Sequence, residues 1–278
     1  MSGASLGGAY AYCDALLREH DKDRFLADLF IPAAVRPHVQ ALHAFSFEIA
    51  RVRDVVSEPM PGELRHQWWR EVLQGSAKGD VDANPVAAAL LDTIARFRLA
   101  QAPLLALIDA RGFDLYDDPM PDIAALEGYC GDTSAVLFRL GAELLGAEPL
   151  SGEAAEHAGL AYAFAGLIRA FAFHAARGQV YLPGDILRRH GASPEEAIGG
   201  CASPALLAAI GDWRAEARRH LAAARRALAV LPKTARPAFL PLALVGPYLA
   251  LTERRGYDPF RSPLELPQWR RQWALWRG

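Results

Sequence analysis

The sequence predicts an all-α protein. Alanine, leucine and arginine dominate, and apolar residues recur three and four positions apart, which is the pattern of a helix with one buried face. No run alternates valine, isoleucine or threonine with polar residues between hairpin turns, as half-buried strands do. The chain has 278 residues, of which 52% are hydrophobic, enough to bury a core. It contains no repeat and no long polar linker, so we expect one domain spanning 1–278.

Prolines and apolar spacing together place the helices in order along the chain. Prolines stand near the predicted helix starts and in the gaps, because proline fixes φ and lacks a backbone donor. In the segment 203–230, Ser203 is a candidate N-cap and Pro204 the first helical residue. The predicted helices cover about 6–20, 33–57, 63–75, 85–100, 103–111, 122–146, 152–176, 203–230 and 235–254.

Charge and cysteine content exclude several classes of protein. A net charge of −2 and a pI near 6.5 disfavour nucleic-acid binding, which needs a basic face. Cys13, Cys130 and Cys201 form no CxxC pair, so neither a disulfide framework nor a structural zinc site is indicated. The N-terminal segment has no secretory pattern, and no apolar run reaches the ~20 residues of a membrane span. We expect a cytoplasmic protein, soluble or peripheral at the inner membrane.

Four segments, in this order, resemble the squalene/phytoene synthase family of head-to-head prenyl transferases. They are "DKDRFLADLFIP"; "ALHAFSFEIARVRDVV" with "WWREVL"; "NPVAAALLDTIARF" leading to "FDLYDDPMPDIAALEGYCGDTSAVLFRLG"; and "GLIRAFAFHAARGQVYLPGD". The resemblance covers most of the chain. It implies an isoprenoid-synthase-type helical bundle with a central cavity.

In that family two DxxxD motifs hold magnesium against an allylic diphosphate. Carboxylates at i and i+4 lie on one helix face, about 6 Å apart in rise, where they can share hard cations. Here the first motif falls on Ala50 and Asp54, and the second on Ala170 and His174. The resemblance therefore implies a degenerate site with no catalytic residues to carry over, no expected cofactor, and Asp54 as the residual candidate for a metal ligand.

Other positions of the family's anion-binding half are retained. Lys22, Arg169, Arg177, Tyr181 and Asp185 match the family pattern and are the candidates for substrate or anion binding. Arginine holds phosphate oxygens bidentately, although holding a diphosphate does not ionise it. Arg169 and Arg177 are two helical turns apart and would face the same cavity if the helix extends to Arg177.

Several of these residues also have a structural interpretation. Asp54 follows two arginines and can act as an ion-pair partner, and His174 can be a polar core residue, since no second ligand stands at i+4. His38 and His43 have the wrong spacing for a metal pair. Trp68 and Trp69 point about 100° apart and are interpreted as a packing anchor.

A subgroup of the family fits the altered motifs better. "LRA…H…R…VYLP" and "RDVVSEPMPGELRHQWW" resemble the complex I assembly factor with a phytoene-synthase-like domain. This implies an assembly or lipid-binding factor near the inner membrane. Its expected partner is an isoprenoid or other lipid in the cavity, or a subunit or assembly factor of a respiratory complex. The alternative is an active Mg²⁺-dependent prenyl transferase with a rearranged site built from Asp54 and Asp132 or Glu48.

The C-terminal segment 264–278 is a possible interfacial tail. Trp269, Trp273 and Trp276 stand at i, i+4 and i+7, with Arg270, Arg271 and Arg277 around them. Such a stripe can lie at lipid-headgroup depth, or it can dock on the body of the protein. The sequence leaves both interpretations open, and with them peripheral membrane contact.

Overall fold

The computed structural model describes residues 6–147 and 151–278, and these residues contain helices and no β-strand. The all-α prediction is therefore confirmed for this part of the chain. Short 3₁₀ segments lie at Val81–Ala83, Gly112–Leu115 and Arg236–Leu244, and a π-helical turn lies at Gly131–Ala135. The α-helices are α1 Leu6–His20, α2 Lys22–Asp28, α3 Arg36–Ala50, α4 Val52–Val55, α5 Pro59–Gln74, α6 Pro85–Phe97, α7 Ala102–Arg111, α8 Ile123–Cys130, α9 Val136–Leu144, α10 Gly152–Arg169, α11 Phe171–Ala175, α12 Gly184–His190, α13 Pro194–Ile198, α14 Pro204–Ala229, α15 Val245–Leu251 and α16 Gln268–Arg277.

Three of the long predicted helices are interrupted, and a fourth, predicted at 235–254, is the 3₁₀ segment Arg236–Leu244 followed by α15. The helix predicted at 33–57 is divided at Arg51 into α3 and α4, and the helix predicted at 122–146 contains the π-helical turn. The helix predicted at 152–176 is divided at Ala170 into α10 and α11. Apolar spacing continues through each interruption, so periodicity did not reveal it.

Several short helices were not predicted from the sequence. Helices α2, α12 and α13 have 7, 7 and 5 residues, too few to display a repeating apolar pattern. Two of them nevertheless had start signals: the side chain of Asp21 accepts from the backbone N–H of Arg24 in α2, and Pro194 opens α13.

The chain divides into two compact units. Unit 1 comprises Met1–Tyr116, Val136–Gly152 and Leu231–Leu240, and unit 2 comprises Asp117–Ala135, Glu153–Val230 and Pro241–Gly278. Both units are therefore discontinuous in sequence. The single domain over 1–278 and its central cavity stay predictions.

The core of unit 1 forms where α1, α3 and α6 pack together. Phe45 is fully buried, and its ring meets that of Trp69 edge to face, with centroids 5.2 Å apart. Trp69 is 4% exposed and also contacts Trp68 edge to face at 5.1 Å, which confirms the packing role predicted for this pair. Aromatic pairs in these geometries add stability beyond the area they bury.

Buried histidines join the helices of unit 1. The His38 Nδ1 lies 2.8 Å from the Tyr10 hydroxyl and 3.0 Å from the Thr93 hydroxyl, so it links α3 to α1 and α6. The His43 Nδ1 lies 3.0 Å from a carboxylate oxygen of Asp28. The two histidines therefore have separate, structural partners, as their spacing predicts.

Unit 2 is organised around the 26-residue helix α14. The Ser203 hydroxyl accepts a 3.0 Å hydrogen bond from the backbone N–H of Leu206, which confirms the predicted N-cap. The buried Trp213 of α14 packs against Phe164 of α10. Gly159 of α10 lies directly against the backbone of Ala135, in the π-helical turn.

None of the helices in residues 6–147 and 151–278 combines the length and the apolar character needed to cross a bilayer.

Candidate functional site

Unit 1 contains the positions of the first aspartate motif, Ala50 and Asp54. Helix α3 ends at Ala50, and Arg51 turns the chain, with φ −77° and ψ −5°, before α4 begins. Asp54 lies in α4 and is exposed, and its backbone N–H donates to the Arg51 carbonyl at 2.9 Å. The two positions therefore do not share one uninterrupted helix, and only one of them has a carboxylate.

Basic side chains stand between these two positions. The Arg51 guanidinium pairs with the Glu48 carboxylate at 3.3 Å and lies over the Phe47 ring, 5.5 Å from its centroid. Glu48, one of the acids considered for a rearranged magnesium site, is therefore already engaged by a cation. Because Arg51 neutralises part of the negative charge of Glu48, this carboxylate would bind a metal ion more weakly than a carboxylate without a cationic partner.

Unit 2 contains the positions of the second aspartate motif, Ala170 and His174. Ala170 has φ −91° and ψ 8° and separates α10 from α11. The His174 ring meets the Tyr181 ring edge to face at 4.9 Å and the Phe173 ring at 5.4 Å. An aromatic cluster thus occupies the place where the resemblance predicts carboxylates, and it supports the interpretation of His174 as a packing residue.

The retained arginines of unit 2 lie over aromatic rings. The Arg169 guanidinium is 4.5 Å from the Tyr248 ring centroid, and the Arg177 guanidinium is 5.0 Å from that of Phe173. The condition that one helix extends to Arg177 is not met, because α11 ends at Ala175. The expectation that these two arginines lie two turns apart along one helix is therefore wrong, and their role in anion binding stays a prediction.

The other retained positions differ in burial. Lys22 is exposed at the first residue of α2, in unit 1. Tyr181 of unit 2 is 5% exposed and packs on Tyr129 at 5.7 Å. The Asp185 carboxylate accepts a 2.9 Å hydrogen bond from the backbone N–H of Ile186, in the first turn of α12. Tyr181 and Asp185 therefore contribute to the local structure of unit 2.

The "YLPGD" loop of unit 2 is fixed by backbone hydrogen bonds. The Met120 N–H donates to the Val180 carbonyl at 3.0 Å, and the Gly184 N–H donates to the Met120 carbonyl at 2.9 Å. A Cβ at Gly184 would lie 2.8 Å from the Pro121 carbonyl oxygen, so the close approach requires glycine. Backbone hydrogen bonds and this close approach therefore hold the loop against residues 120 and 121.

A group of possible metal ligands that the sequence did not reveal lies in unit 2. Ligand atoms of Glu127, Glu216 and His220 lie within 4.8 Å of one another. Glu216 and His220 are at i and i+4 on α14, and this spacing in the sequence could have predicted that their side chains are neighbours. The Arg219 guanidinium occupies the same place, 2.9 Å from the Glu127 carboxylate, 2.6 Å from the Glu216 carboxylate and 2.8 Å from the His220 Nε2.

The protonation of His220 agrees with this arrangement. Its Nε2 lies 2.8 Å from the Arg219 guanidinium and 3.0 Å from the Glu127 carboxylate, and its Nδ1 lies 3.0 Å from the His157 Nδ1. Burial lowers the pKa of His220 and the nearby Glu127 carboxylate raises it by less, so the pKa lies below its ordinary value. A neutral imidazole can accept from the guanidinium. The cation already present is thus the arginine, and the group is an ion-pair network joining α8, α10 and α14.

Comparison with known proteins identifies the family. The model of the squalene/phytoene synthase family matches residues 17–277. This chain belongs to the squalene/phytoene synthase family. A crystal structure of a dehydrosqualene synthase in complex with ligand superimposes with a TM-score of 0.82 at 19% identity, over 98% of this chain and 95% of that one. The squalene/phytoene-synthase-type fold predicted from the four segments is confirmed.

Curated members of the squalene/phytoene synthase family resemble this chain to different degrees. The rat protein named NADH dehydrogenase (ubiquinone) complex I, assembly factor 6 is 33% identical over 265 residues, 95% of this chain and 80% of its own. The 15-cis-phytoene synthase of Synechococcus elongatus is 25% identical, over 98% of this chain and 92% of its own. The family thus includes named synthases as well as named assembly factors.

Proposed function

We propose that this protein is a catalytically inactive squalene/phytoene synthase homologue that acts in the assembly of a respiratory NADH dehydrogenase complex at the inner membrane. The observation that carries the first part is the loss of carboxylates. Of the four motif positions, Ala50, Ala170 and His174 have none, and Asp54 alone keeps one.

The loss matters because of charge. An allylic diphosphate leaves as a multiply charged anion, and magnesium ions neutralise it when carboxylates hold them in place. In unit 1 the one remaining carboxylate lies beyond the end of α3, and in unit 2 aromatic rings surround His174. Arg169 and Arg177 can attract an anion, but they cannot hold a metal cluster because guanidinium is always protonated.

The second part of the proposal is supported by similarity to the assembly factors. Identity to the rat assembly factor is 33% over 95% of this chain, against 25% for the cyanobacterial phytoene synthase. A protein that lost its chemistry while keeping the fold retains a shaped surface that a folding partner can recognise. The partner of this chain would then be a subunit of the complex or another assembly factor, with an isoprenoid or other lipid as the candidate ligand of the fold.

A turnover assay tests the catalytic half of the proposal. The purified protein is incubated with farnesyl or geranylgeranyl diphosphate and Mg²⁺, and pyrophosphate and head-to-head products are measured. We expect neither above the level without protein, while the phytoene synthase of Synechococcus elongatus, assayed in parallel, forms product. Pyrophosphate release together with a head-to-head product would establish the competing function, an active prenyl transferase with a rearranged magnesium site.

Deletion of the gene tests the assembly half. In membranes from the deletion strain we expect the amount and activity of the NADH dehydrogenase complex to fall, while succinate dehydrogenase activity stays unchanged. Complementation with the wild-type gene should restore the complex. An unchanged complex in the deletion strain would contradict the assembly role, and mass spectrometry of extracted lipids would then show whether the protein is a lipid carrier.

A further inference from the structure

The C-terminal helix α16 presents three tryptophans to solvent. Trp269, Trp273 and Trp276 are 62%, 50% and 70% exposed, although they lie on one stripe of a ten-residue helix. The helix is attached through other residues: Leu275 is 2% exposed, and the Arg271 Nε donates to the Leu266 carbonyl at 3.0 Å. The interpretation in which the tryptophan stripe docks on the body of the protein is therefore wrong.

Two of the exposed rings form a continuous apolar surface. The rings of Trp273 and Trp276 stack with centroids 5.5 Å apart and an interplanar angle of 28°. Three exposed indoles on one helix face are unfavourable in water, because each exposes apolar area that burial would stabilise. An exposed apolar patch of this kind marks a binding surface.

The charges beside the rings indicate what binds there. The Arg270 guanidinium lies 5.1 Å from the Trp269 ring centroid, and that of Arg277 lies 4.6 Å from the Trp273 ring centroid. The sequence has no acidic residue after Glu265. Indole rings with a polar N–H prefer the boundary between hydrocarbon and water, and arginines beside them meet lipid phosphates.

We propose that α16 binds the surface of an anionic lipid bilayer, with its axis in the membrane plane, its tryptophans at headgroup depth and its arginines against phosphates. A helix of ten residues is about 15 Å long, half the thickness of the hydrocarbon core, so it lies on the bilayer and does not cross it. This surface lies outside the degenerate synthase motifs. The inference stands independently of the assembly role.

Vesicle binding tests the proposal with the full chain. The protein is sedimented with extruded vesicles of phosphatidylcholine alone or mixed with phosphatidylglycerol, and the partition coefficient is measured at low and high salt. We expect binding to the anionic vesicles that weakens with salt and falls at least about a hundredfold when Trp269, Trp273 and Trp276 are all replaced by alanine. Because these rings are exposed, the triple variant should keep the far-UV circular dichroism of the wild type.

A charge variant and a matched control separate the electrostatic contribution. Replacing Arg270 and Arg277 by glutamine should lower the partition coefficient on anionic vesicles roughly ten- to thirtyfold. The same change at Arg225 and Arg226, two exposed arginines of α14, should leave it within about twofold. A similar loss in the control pair would mean that overall charge, and not α16, governs binding.

Fluorescence locates the bound surface. Half of the six tryptophans of the chain are in α16, so brominated phosphatidylcholine mixed into the anionic vesicles should quench the emission of the wild type and leave that of the triple alanine variant unquenched. Equal binding by wild type and triple variant would overturn the proposal. So would a dimer that the triple variant abolishes, in the absence of vesicle binding, because a second copy of the chain would then cover the stripe.

Discussion

The close approach of α10 to residue 135 in unit 2 allows a quantitative prediction. Gly159 lies in the middle of α10, and a Cβ built on it would be 2.1 Å from the Ala135 Cα and 2.3 Å from the Ala135 backbone nitrogen. Ordinary contact begins at 3.4 Å, so Gly159→Ala requires the two segments to separate by about 1.3 Å. The atoms in the way are backbone atoms, which no rotamer change can move.

The magnitude follows from two opposing contributions. Overpacking costs about 1 to 3 kcal/mol, and a clash with backbone belongs at or above the upper end. Replacing a helical glycine by alanine stabilises by about 1 kcal/mol. We therefore expect Gly159→Ala to lower the free energy of unfolding by about 2 kcal/mol or more.

Gly166 in the same helix is the matched control. A Cβ there meets nothing within 4 Å outside its own helix, so Gly166→Ala should stabilise the protein by up to about 1 kcal/mol. Urea unfolding followed by circular dichroism measures both variants. The double variant Ala135→Gly/Gly159→Ala should recover only part of the loss, since the backbone of residue 135 remains. Equal stability of the two alanine variants would refute the close packing of α10 on residue 135.

Three further predictions concern titratable and reactive groups. Cys201 is exposed, whereas Cys13 is buried, and burial raises the pKa of Cys13 to about 12. A thiol reagent should therefore label Cys201 in the native protein and Cys13 only after unfolding. Rapid labelling of Cys13 in the native state would contradict its burial. Burial lowers the pKa of His66 from 6.5, so the folded state takes up fewer protons than the unfolded chain, and the free energy of unfolding should fall as the pH drops below about 6.5. His66→Gln should make that dependence shallower, by up to about 1.4 kcal/mol per pH unit, and an unchanged pH dependence would contradict the effect of burial. Arg219→Ala should leave the two carboxylates and the imidazole around it free to bind a metal ion. Zinc at ten times its Kd should then raise the free energy of unfolding of the variant by about 1.4 kcal/mol and leave that of the wild type unchanged. Equal stabilisation of both proteins would show that the arginine does not exclude the metal.

The helices divide into those that the sequence reveals and those that it does not. Helix α14 could be predicted to within a residue of its start, because Ser203 and Pro204 act through local backbone geometry. The divisions at Arg51 and Ala170 could not, because neither residue is a proline or a glycine and the apolar pattern continues across both. Packing against other helices decides such breaks, and packing is absent from local sequence.

Part of the candidate site could likewise be predicted from the sequence, and part could not. The missing carboxylates at Ala50 and Ala170 follow from aligning motifs, so the sequence was sufficient to question catalysis. The aromatic contacts of His174 depend on the tertiary structure, because Tyr181 is seven residues away and reaches the ring through the turn that follows α11. The Arg219 network likewise brings together residues about 90 positions apart.

The sequence by itself determined the all-helical class, the family and the loss of paired carboxylates, because each depends on residue type and spacing along the chain. Only the tertiary structure decided that three tryptophans of α16 face solvent, since the same stripe would equally well have packed inward. Burial is a property of what lies opposite a side chain, and that partner is chosen by the fold.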